Sequence, residues 1–274
     1  MKILVLGATG MLGSGVCHSL REEGFEVHGT FRNKTQNICL YLKLDKMINF
    51  DVFEIKETPL PLSGYSYVIN CIGIINTLAD HDPLNTIYVN SLFPRLMAPR
   101  CRNYNAKFIH ITTDCVFNGE KGKYTENSLH DTHDIYGKTK SLGEPKECMA
   151  LRTSIIGEEK HQHHSLISWA QSQKNKEVKG YTNHLWNGVT THQYGKIISQ
   201  IIKENLYQED LFHVFSPSDT TKLGLLEILN DRFNLNLNIT PHEAQPPIDR
   251  TLRTTKRLQK VLSIPSIQQQ VAEL

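Results

Sequence analysis

The chain opens with a run of branched aliphatic residues that ends on three evenly spaced glycines, "KILVLGATGMLG". Few folds accept that pattern. A buried strand must turn sharply at Gly7, and a helix must start immediately after Gly10. In such a turn Gly7 permits the tight bend, Gly10 lets backbone approach a pyrophosphate, and Gly13 lets the helix pack closely on the strand. The helix start, with Thr9, Met11 and Leu12 beside the glycines, presents N–H groups and the positive end of the helix dipole to an anion. The stretch therefore reads as a dinucleotide site built from Gly7, Thr9, Gly10, Met11, Leu12 and Gly13.

Beyond the turn, short apolar runs alternate with helical patterns. "EVHGTF", "YVINCIG", "KFIHITTDCVF" and "CMALRTSIIG" read as strands, with a helix from about residue 82 to 104 and another carrying Tyr136. This alternation gives right-handed βαβ units, so the expected class is α/β with a doubly wound parallel sheet. After Gly157 the pattern loosens. "SLISWAQSQ", "HQYGKIISQIIKENL", "TKLGLLEILNDRF" and "TLRTTKRLQKVL" read as helices, "LFHVFS" as a strand, "LNLNITPHE" as extended and "GYTNHLWNGVTT" as irregular. The expected division is a dinucleotide-binding domain of residues 1–154 and 188–216, and a smaller discontinuous lobe of residues 155–187 and 217–274.

The second strand selects the dinucleotide. An acid at its end would bond the 2′-hydroxyl of NAD, but Thr30 and Arg32 stand there. Arginine can pair a 2′-phosphate through two nitrogens, so NADP(H) is the expected cofactor. Asp51 and Val52, after the third strand, are placed to touch adenine. Cys71, Ile72 and Gly73, ending the fourth strand, are placed to lay backbone along the cofactor.

Composition removes other classes. Thirty basic and 28 acidic residues give a net charge of +2, with both signs interspersed, so nucleic acid is not an expected partner. No run of roughly 18 apolar residues appears, so neither a membrane span nor a secretory signal is expected. The six cysteines are widely spaced and carry no zinc spacing. Free thiols in a reducing cytoplasm account for them. His161, His163 and His164 in "EEKHQHHS" lack the i, i+4 spacing that aims two imidazoles at one ion, so no metal is expected and the stretch reads as a polar surface or lid loop.

"HDIYGKTKSLGE" places Tyr136 and Lys140 four residues apart, on one helical face. A phenol of ordinary pKa about 10 beside an ammonium is favoured in its ionised form, which makes tyrosine a usable proton donor near neutrality. Alone, such a pair fits a solvated helix better.

Taken in order, "GATGMLG", "NCIG", "VNSLFP", "TTDCVFNG", "YGKTKSLGE" and "LRTSIIG" resemble the extended short-chain dehydrogenase/reductases, and within them the dTDP-4-dehydrorhamnose reductase-like group. The likeness covers roughly the first 160 residues and thins afterwards. It implies a catalytic set of Thr113, Tyr136 and Lys140. Thr113 would polarise a substrate carbonyl, Tyr136 would deliver the proton, and Lys140 would lower the tyrosine pKa while holding the nicotinamide ribose. Strand alternation should turn Thr112 to the opposite face. Asn90 matches an asparagine that supports the lysine, although capping or packing explains it almost as well.

The resemblance also implies NADPH-dependent reduction of the 4-keto group of a nucleotide-diphosphate 6-deoxyhexose. The nucleotide half would lie in the smaller lobe, with Cys115, Val116, Arg152, Trp186, Asn187 and Arg250 as substrate contacts. Cys115 stands where rhamnose reductases often have tyrosine. The reading leaves room for a homodimer. Two rivals stay open: a combined epimerase and reductase on a UDP-linked 6-deoxy sugar, and a non-catalytic nucleotide-binding regulatory subunit. The joint presence of Thr113, Tyr136 and Lys140 argues for chemistry.

Overall fold

The computed structural model describes residues 1–32, 42–55, 60–158 and 165–274. Cys39 and the expectation attached to His161, His163 and His164 lie outside the described residues. The strands in chain order are β1 (Lys2–Leu6), β2 (Glu26–Phe31), β3 (Lys46–Asn49), β4 (Tyr67–Asn70), β5 (Lys107–Thr113), β6 (Met149–Thr153), β7 (Ile155–Ile156), β8 (Glu177–Tyr181), β9 (His184–Trp186), β10 (Val189–Thr190), β11 (Asp210–His213), β12 (Thr220–Thr221), β13 (Asn238–His242) and β14 (Ile248–Asp249).

A seven-stranded sheet in the order β11-β6-β5-β4-β1-β2-β3 forms the centre, and every pairing within it is parallel. From β1 the chain winds outward through β2 and β3, then crosses back to place β4 on the other side of β1. That reversal opens a crevice at the C-terminal ends of β1 and β4, where such sheets bind ligands. The register sets Leu6 opposite Asn70, Asn70 opposite His110 and Thr113 opposite Thr153. Gly7, Cys71 and Asp114, which follow these strands, therefore leave the sheet on one rim.

Alternation along the strands divides the core. Ile3, Val5, Val27, Ile69, Ile109 and Ile111 pack with Val16 and Leu20 of helix Met11–Glu22 and with Ile197, Ile198 and Ile201 of helix Thr191–Lys203. Leu4, Leu6, Val68 and Phe108 pack on the other face with Phe93 and Met97 of helix Phe93–Asn103. Burial of each such side chain is worth roughly 1.5–3 kcal/mol.

The helix expected from about residue 82 to 104 is interrupted. Asp82 caps its start ahead of Pro83, and segment Pro83–Ile87 is followed by a π turn, Tyr88–Leu92, before the α-helix resumes at Phe93. Side-chain bonds from inside this turn, described below, give it a positioning role of the kind π turns often have.

Two expectations for the second half need correction. "GYTNHLWNGVTT" is not irregular: it holds the end of β8, then β9 and β10. These strands make small sheets, with β8 on β13, β9 between β12 and β14, and β10 on β7. In "TLRTTKRLQKVL" only Leu258–Val261 is helical. The preceding residues run as a strap, because Asn187 takes both backbone groups of Leu252, accepting its N–H and donating to its carbonyl at 3.0 Å each, and Tyr124 bridges the same residue. No helix among the described residues is long and apolar enough to cross a membrane.

Candidate active site

At the end of β1 the backbone of Gly7 has φ +74, the left-handed region that glycine tolerates. A Cβ at Gly13 would overlap the Gly7 carbonyl, so helix Met11–Glu22 can press against the turn only because Gly13 lacks one. Four other helices start with a side-chain cap: Asp134 accepts from Gly137, Ser165 from Ser168, Thr190 from Gln193 and Thr221 from Gly224. Helix Met11–Glu22 starts at Gly10 with no side-chain cap and no acid in its first turn. Its leading N–H groups thus have no intrahelical or capping acceptor, which suits an anion.

Thr30 ends β2 by accepting the Gly7 N–H on its hydroxyl at 2.9 Å and the Ala8 N–H on its carbonyl at 3.0 Å. It anchors the glycine turn, which explains why no acid stands there. Arg32, just past β2, is exposed. Asp51 caps the short turn Val52–Glu54 through a bond from the Phe53 N–H at 3.0 Å, and Val52 is buried in the core. Both residues are accounted for without a ligand.

The loop after β4 is held from the π turn. Asn90 accepts the Ile74 N–H and donates to the Ile74 carbonyl, both at 2.9 Å, and also donates to Thr139 at 3.3 Å. Ser91 donates to the Thr139 carbonyl at 2.7 Å. Asn90 thus clamps the loop holding Cys71, Ile72 and Gly73 to helix Ile135–Leu142.

Thr113 ends β5. Its hydroxyl donates to Asp114 at 3.2 Å and accepts the Cys115 N–H at 3.1 Å, and the Tyr136 phenol stands beside it. Thr112 turns away, as alternation requires, and donates to Glu144 at 2.9 Å. Asp134 caps the helix carrying Tyr136 by accepting the Gly137 N–H at 2.7 Å. Gly137 has no room for a Cβ beside the Cys115 carbonyl, and this close fit brings Tyr136 against Thr113.

Lys140 is 6% exposed, and its ammonium lies 2.8 Å from where a Gly73 Cβ would stand. It has no hydrogen-bond or ion-pair partner among the described residues. Burial lowers it to about 8, with Glu144 and Cys71 pulling upward. Burial, followed by the Cys115 thiol, pushes Tyr136 above its ordinary value, and the neighbouring Thr113 hydroxyl only partly opposes this. The expected lowering of the phenol by Lys140 is therefore not what this arrangement gives: the phenol keeps its proton.

The expected substrate contacts divide. Arg152 is fully buried and bonded to Glu144, His130 and His213. Trp186 is buried with its indole N–H on Ser154 at 2.8 Å. Asn187 is consumed by Leu252, and Val116 sits in a small core with Phe117 and Tyr124. These four are structural, because their polar groups or surfaces are already satisfied inside the protein. Cys115 and Arg250 remain partly exposed at the site, and an Arg250 nitrogen lies 3.8 Å from the Cys115 sulfur. Burial pushes that thiol up to about 12.

Sequence reasoning missed Lys222. It starts helix Lys222–Phe233, where a cation opposes the helix dipole. It is largely buried, has no hydrogen-bond or ion-pair partner among the described residues, and stands over the Trp186 ring at 5.5 Å. Burial lowers its ammonium, and the nearby Asp114 carboxylate opposes that. Lys222 lines a cleft of about 290 Å³ with Leu166, Trp169, Tyr181, His184 and Leu226. The Nε2 of His184 is buried with no hydrogen-bond partner among the described residues. A cation at a helix start was the signal available.

Comparison with known proteins places these features in a family context. A family model described as RmlD substrate binding domain matches residues 1–273. The spore coat polysaccharide biosynthesis protein SpsK of Bacillus subtilis is 29% identical over 171 residues, which cover 57% of this chain and 53% of that protein. This chain thus spans about half the length of that relative. A Haloferax volcanii protein named "Probable low-salt glycan biosynthesis reductase Agl14" is 27% identical over 270 residues, 94% of this chain and 88% of the relative. The dTDP-4-dehydrorhamnose reductase of Bacillus anthracis, solved in complex with NADP, superposes with a TM-score of 0.75 at 17% identity, covering 99% of this chain and 97% of that one.

Proposed function

The chain belongs to the RmlD substrate binding domain family, and on that premise we propose that it is an NADP(H)-dependent reductase acting on the 4-keto group of a nucleotide-diphosphate 6-deoxyhexose. One observation carries the reading: the Tyr136 phenol stands beside Thr113 while the unpaired Lys140 ammonium lies over Gly73, on the crevice rim of the sheet. The relatives named for spore coat polysaccharide and glycan synthesis support a role in making a deoxysugar precursor of surface polysaccharide.

The residues present fit a nicotinamide dinucleotide. The uncapped start of helix Met11–Glu22 and the cradle of Gly7, Gly10 and Gly13 suit its pyrophosphate. The Lys140 ammonium suits its ribose hydroxyls, and Arg32 suits a 2′-phosphate. Such a cofactor supplies a hydride to the substrate carbonyl carbon. Tyr136, protonated at neutral pH, donates its phenolic proton to the oxygen that becomes the new hydroxyl. Thr113 stands beside the phenol, and its bond to Asp114 makes it a positioning partner at least as much as a donor to the carbonyl.

In this reading residues 1–154 and 188–216 hold the dinucleotide, and residues 155–187 and 217–274 hold the nucleotide sugar. Trp169 and Tyr181 offer aromatic faces to a base in the cleft. Lys222 and Arg250, between the cleft and Thr113, supply cations for the diphosphate. The free cysteines among the described residues fit a reducing cytoplasm.

The test is to follow NADPH absorbance with a panel of 4-keto-6-deoxy nucleotide sugars. Turnover with at least one of them is expected, and a kcat lower by about 10² to 10⁴ with Tyr136→Phe. A double change of product stereochemistry would favour the combined epimerase and reductase on a UDP-linked sugar. Absence of turnover with the whole panel, despite NADPH binding, would favour a regulatory subunit. Arg32→Ala should weaken NADPH about tenfold while leaving NADH unchanged, as expected for one exposed charge-assisted contact. Equal losses for both cofactors would remove the 2′-phosphate assignment.

A further inference from the structure

Glu144 lies just past helix Ile135–Leu142, four residues after Lys140 and eight after Tyr136. One carboxylate oxygen accepts the Thr112 hydroxyl at 2.9 Å and the Arg152 Nε at 3.2 Å, and the other accepts an Arg152 terminal nitrogen at 2.8 Å. Thr112 is the neighbour of Thr113. A single side chain outside the reacting centre therefore ties the strand that ends in Thr113 to the helix that carries Tyr136 and Lys140.

Arg152 fixes that carboxylate and is itself held by two imidazoles. It donates to Nε2 of His130 at 2.7 Å and to Nε2 of His213 at 2.8 Å, while the Phe117 ring lies 5.0 Å from its guanidinium. A guanidinium can only donate. Both imidazoles must therefore be neutral with the proton on Nδ1. From there His130 donates to the Ser141 hydroxyl at 2.5 Å, and His213 donates to the Arg253 carbonyl at 2.8 Å. Ser141 belongs to the same helix as Tyr136 and Lys140, so that helix is anchored to Arg152 twice, through Glu144 and through His130.

We propose, building on the reductase reading above, that Glu144 is a positioning residue setting the register between Thr113 and the Tyr136–Lys140 helix, and that protonation of His130 releases this anchor. A proton on Nε2 would face the Arg152 N–H it now accepts and would add a second cation beside a buried one. The groups facing His130 are Arg152 from β6, Glu144 with an oxygen at 3.8 Å, its neighbour Asp131, the Ser141 hydroxyl and the edge of Phe117. Those facing His213 are Arg152, Glu126 and the Phe117 ring. His130 is the accessible member, with 27% of its side chain exposed, whereas His213 is almost fully enclosed. Burial first, and Arg152 second, push both imidazoles below their ordinary value, His213 to about 4.

The experiment compares the unmodified protein with His130→Gln and Glu144→Gln by two readouts. One is the pH dependence of kcat/KM, and the other is hydrogen exchange of the amides in residues 138–143, which needs no substrate. In the unmodified protein both kcat/KM and amide protection should fall as the pH drops below the ordinary imidazole value of about 6.5. His130→Gln keeps an acceptor for Arg152 and a donor for Ser141 but cannot take a proton. It should match the unmodified protein at neutral pH and lose this acid limb in both readouts. Glu144→Gln should lower kcat tenfold or more while substrate KM and NADPH affinity stay within about twofold, the mark of misplaced catalytic groups. An acid loss of amide protection that persists in His130→Gln would overturn the proposal, and so would an unchanged kcat in Glu144→Gln. A protein that turns over no nucleotide sugar would end the reductase reading, while the exchange data would still decide the anchor.

Discussion

In the proposed reaction Tyr136 starts with its proton on. Enclosure raises the phenol and lowers Lys140 to about 8, so at neutral pH the pair is a phenol and an ammonium in their ordinary charge states. Tyr136→Phe preserves the ring and removes the transferable proton, and kcat should fall by about 10² to 10⁴ with NADPH affinity nearly unchanged. Full turnover in that variant would assign the proton to another group. Lys140 loses its charge as the pH rises through about 8, so NADPH binding, read by fluorescence titration, should weaken above that pH. A flat alkaline profile would mean the ammonium does not contact the cofactor. At this scale the sequence was informative where chemistry is local: Gly7, Gly10, Gly13, Tyr136 and Lys140 act through spacings of three or four residues. It was uninformative for Arg152 and Asn187, whose partners lie 61 and 65 residues away in His213 and Leu252. A polar residue's availability depends on whether such distant partners claim it.

At the level of elements, glycines decide how closely pieces of chain meet. At Gly73 a Cβ would stand 2.8 Å from the Lys140 nitrogen, the far end of a flexible side chain, whereas at Gly13 it would strike the Gly7 backbone. The two sites should therefore respond differently to alanine. Gly73→Ala should displace the ammonium, lowering NADPH affinity and kcat with the melting temperature nearly unchanged. Gly13→Ala forces helix and strand apart and should lower the melting temperature by several degrees, consistent with overpacking costs of about 1–3 kcal/mol. Equal melting temperatures for the two variants would contradict this difference. Regular elements were readable from apolar spacing, including the β1 to helix Met11–Glu22 unit and the helix Thr191–Lys203. The π turn at Tyr88–Leu92 was not, because it comes from bonds that Asn90 and Ser91 make to Ile74 and Thr139 rather than from any local pattern. The strap at 251–257 was misread for a related reason: its spacing suits a helix, but Asn187 and Tyr124 hold its backbone extended.

Over the whole molecule, titration should be visible in stability. His110 and His213 are buried and held below the ordinary imidazole value, His110 by burial and then Lys140, His213 by burial and then Arg152. The unfolded chain takes up these protons near pH 6.5 and the folded one resists them, so stability is complete above that pH and is lost as the pH falls toward the lowered values. The melting temperature should drop by several degrees between about pH 7 and pH 5, and His213→Gln should reduce the slope. An unchanged slope would mean that other groups dominate acid unfolding. The doubly wound parallel class followed from the alternation of apolar runs and the right-handed crossover rule, and β11 was legible as a strand in "LFHVFS", whereas the order of the seven strands came from the structure.

The edge position of β11 also governs how the chain matures during synthesis. Arg152 is laid down roughly sixty residues before His213, yet it is the largest fully buried side chain and uses that imidazole as an acceptor. Until residues 210–213 leave the ribosome, β6 is an unpaired sheet edge and a guanidinium destined for the interior has one acceptor too few. A nascent chain stalled before Asp210 should therefore stay open to proteases and chaperones across β6, and its protection should appear within a few residues of the emergence of His213.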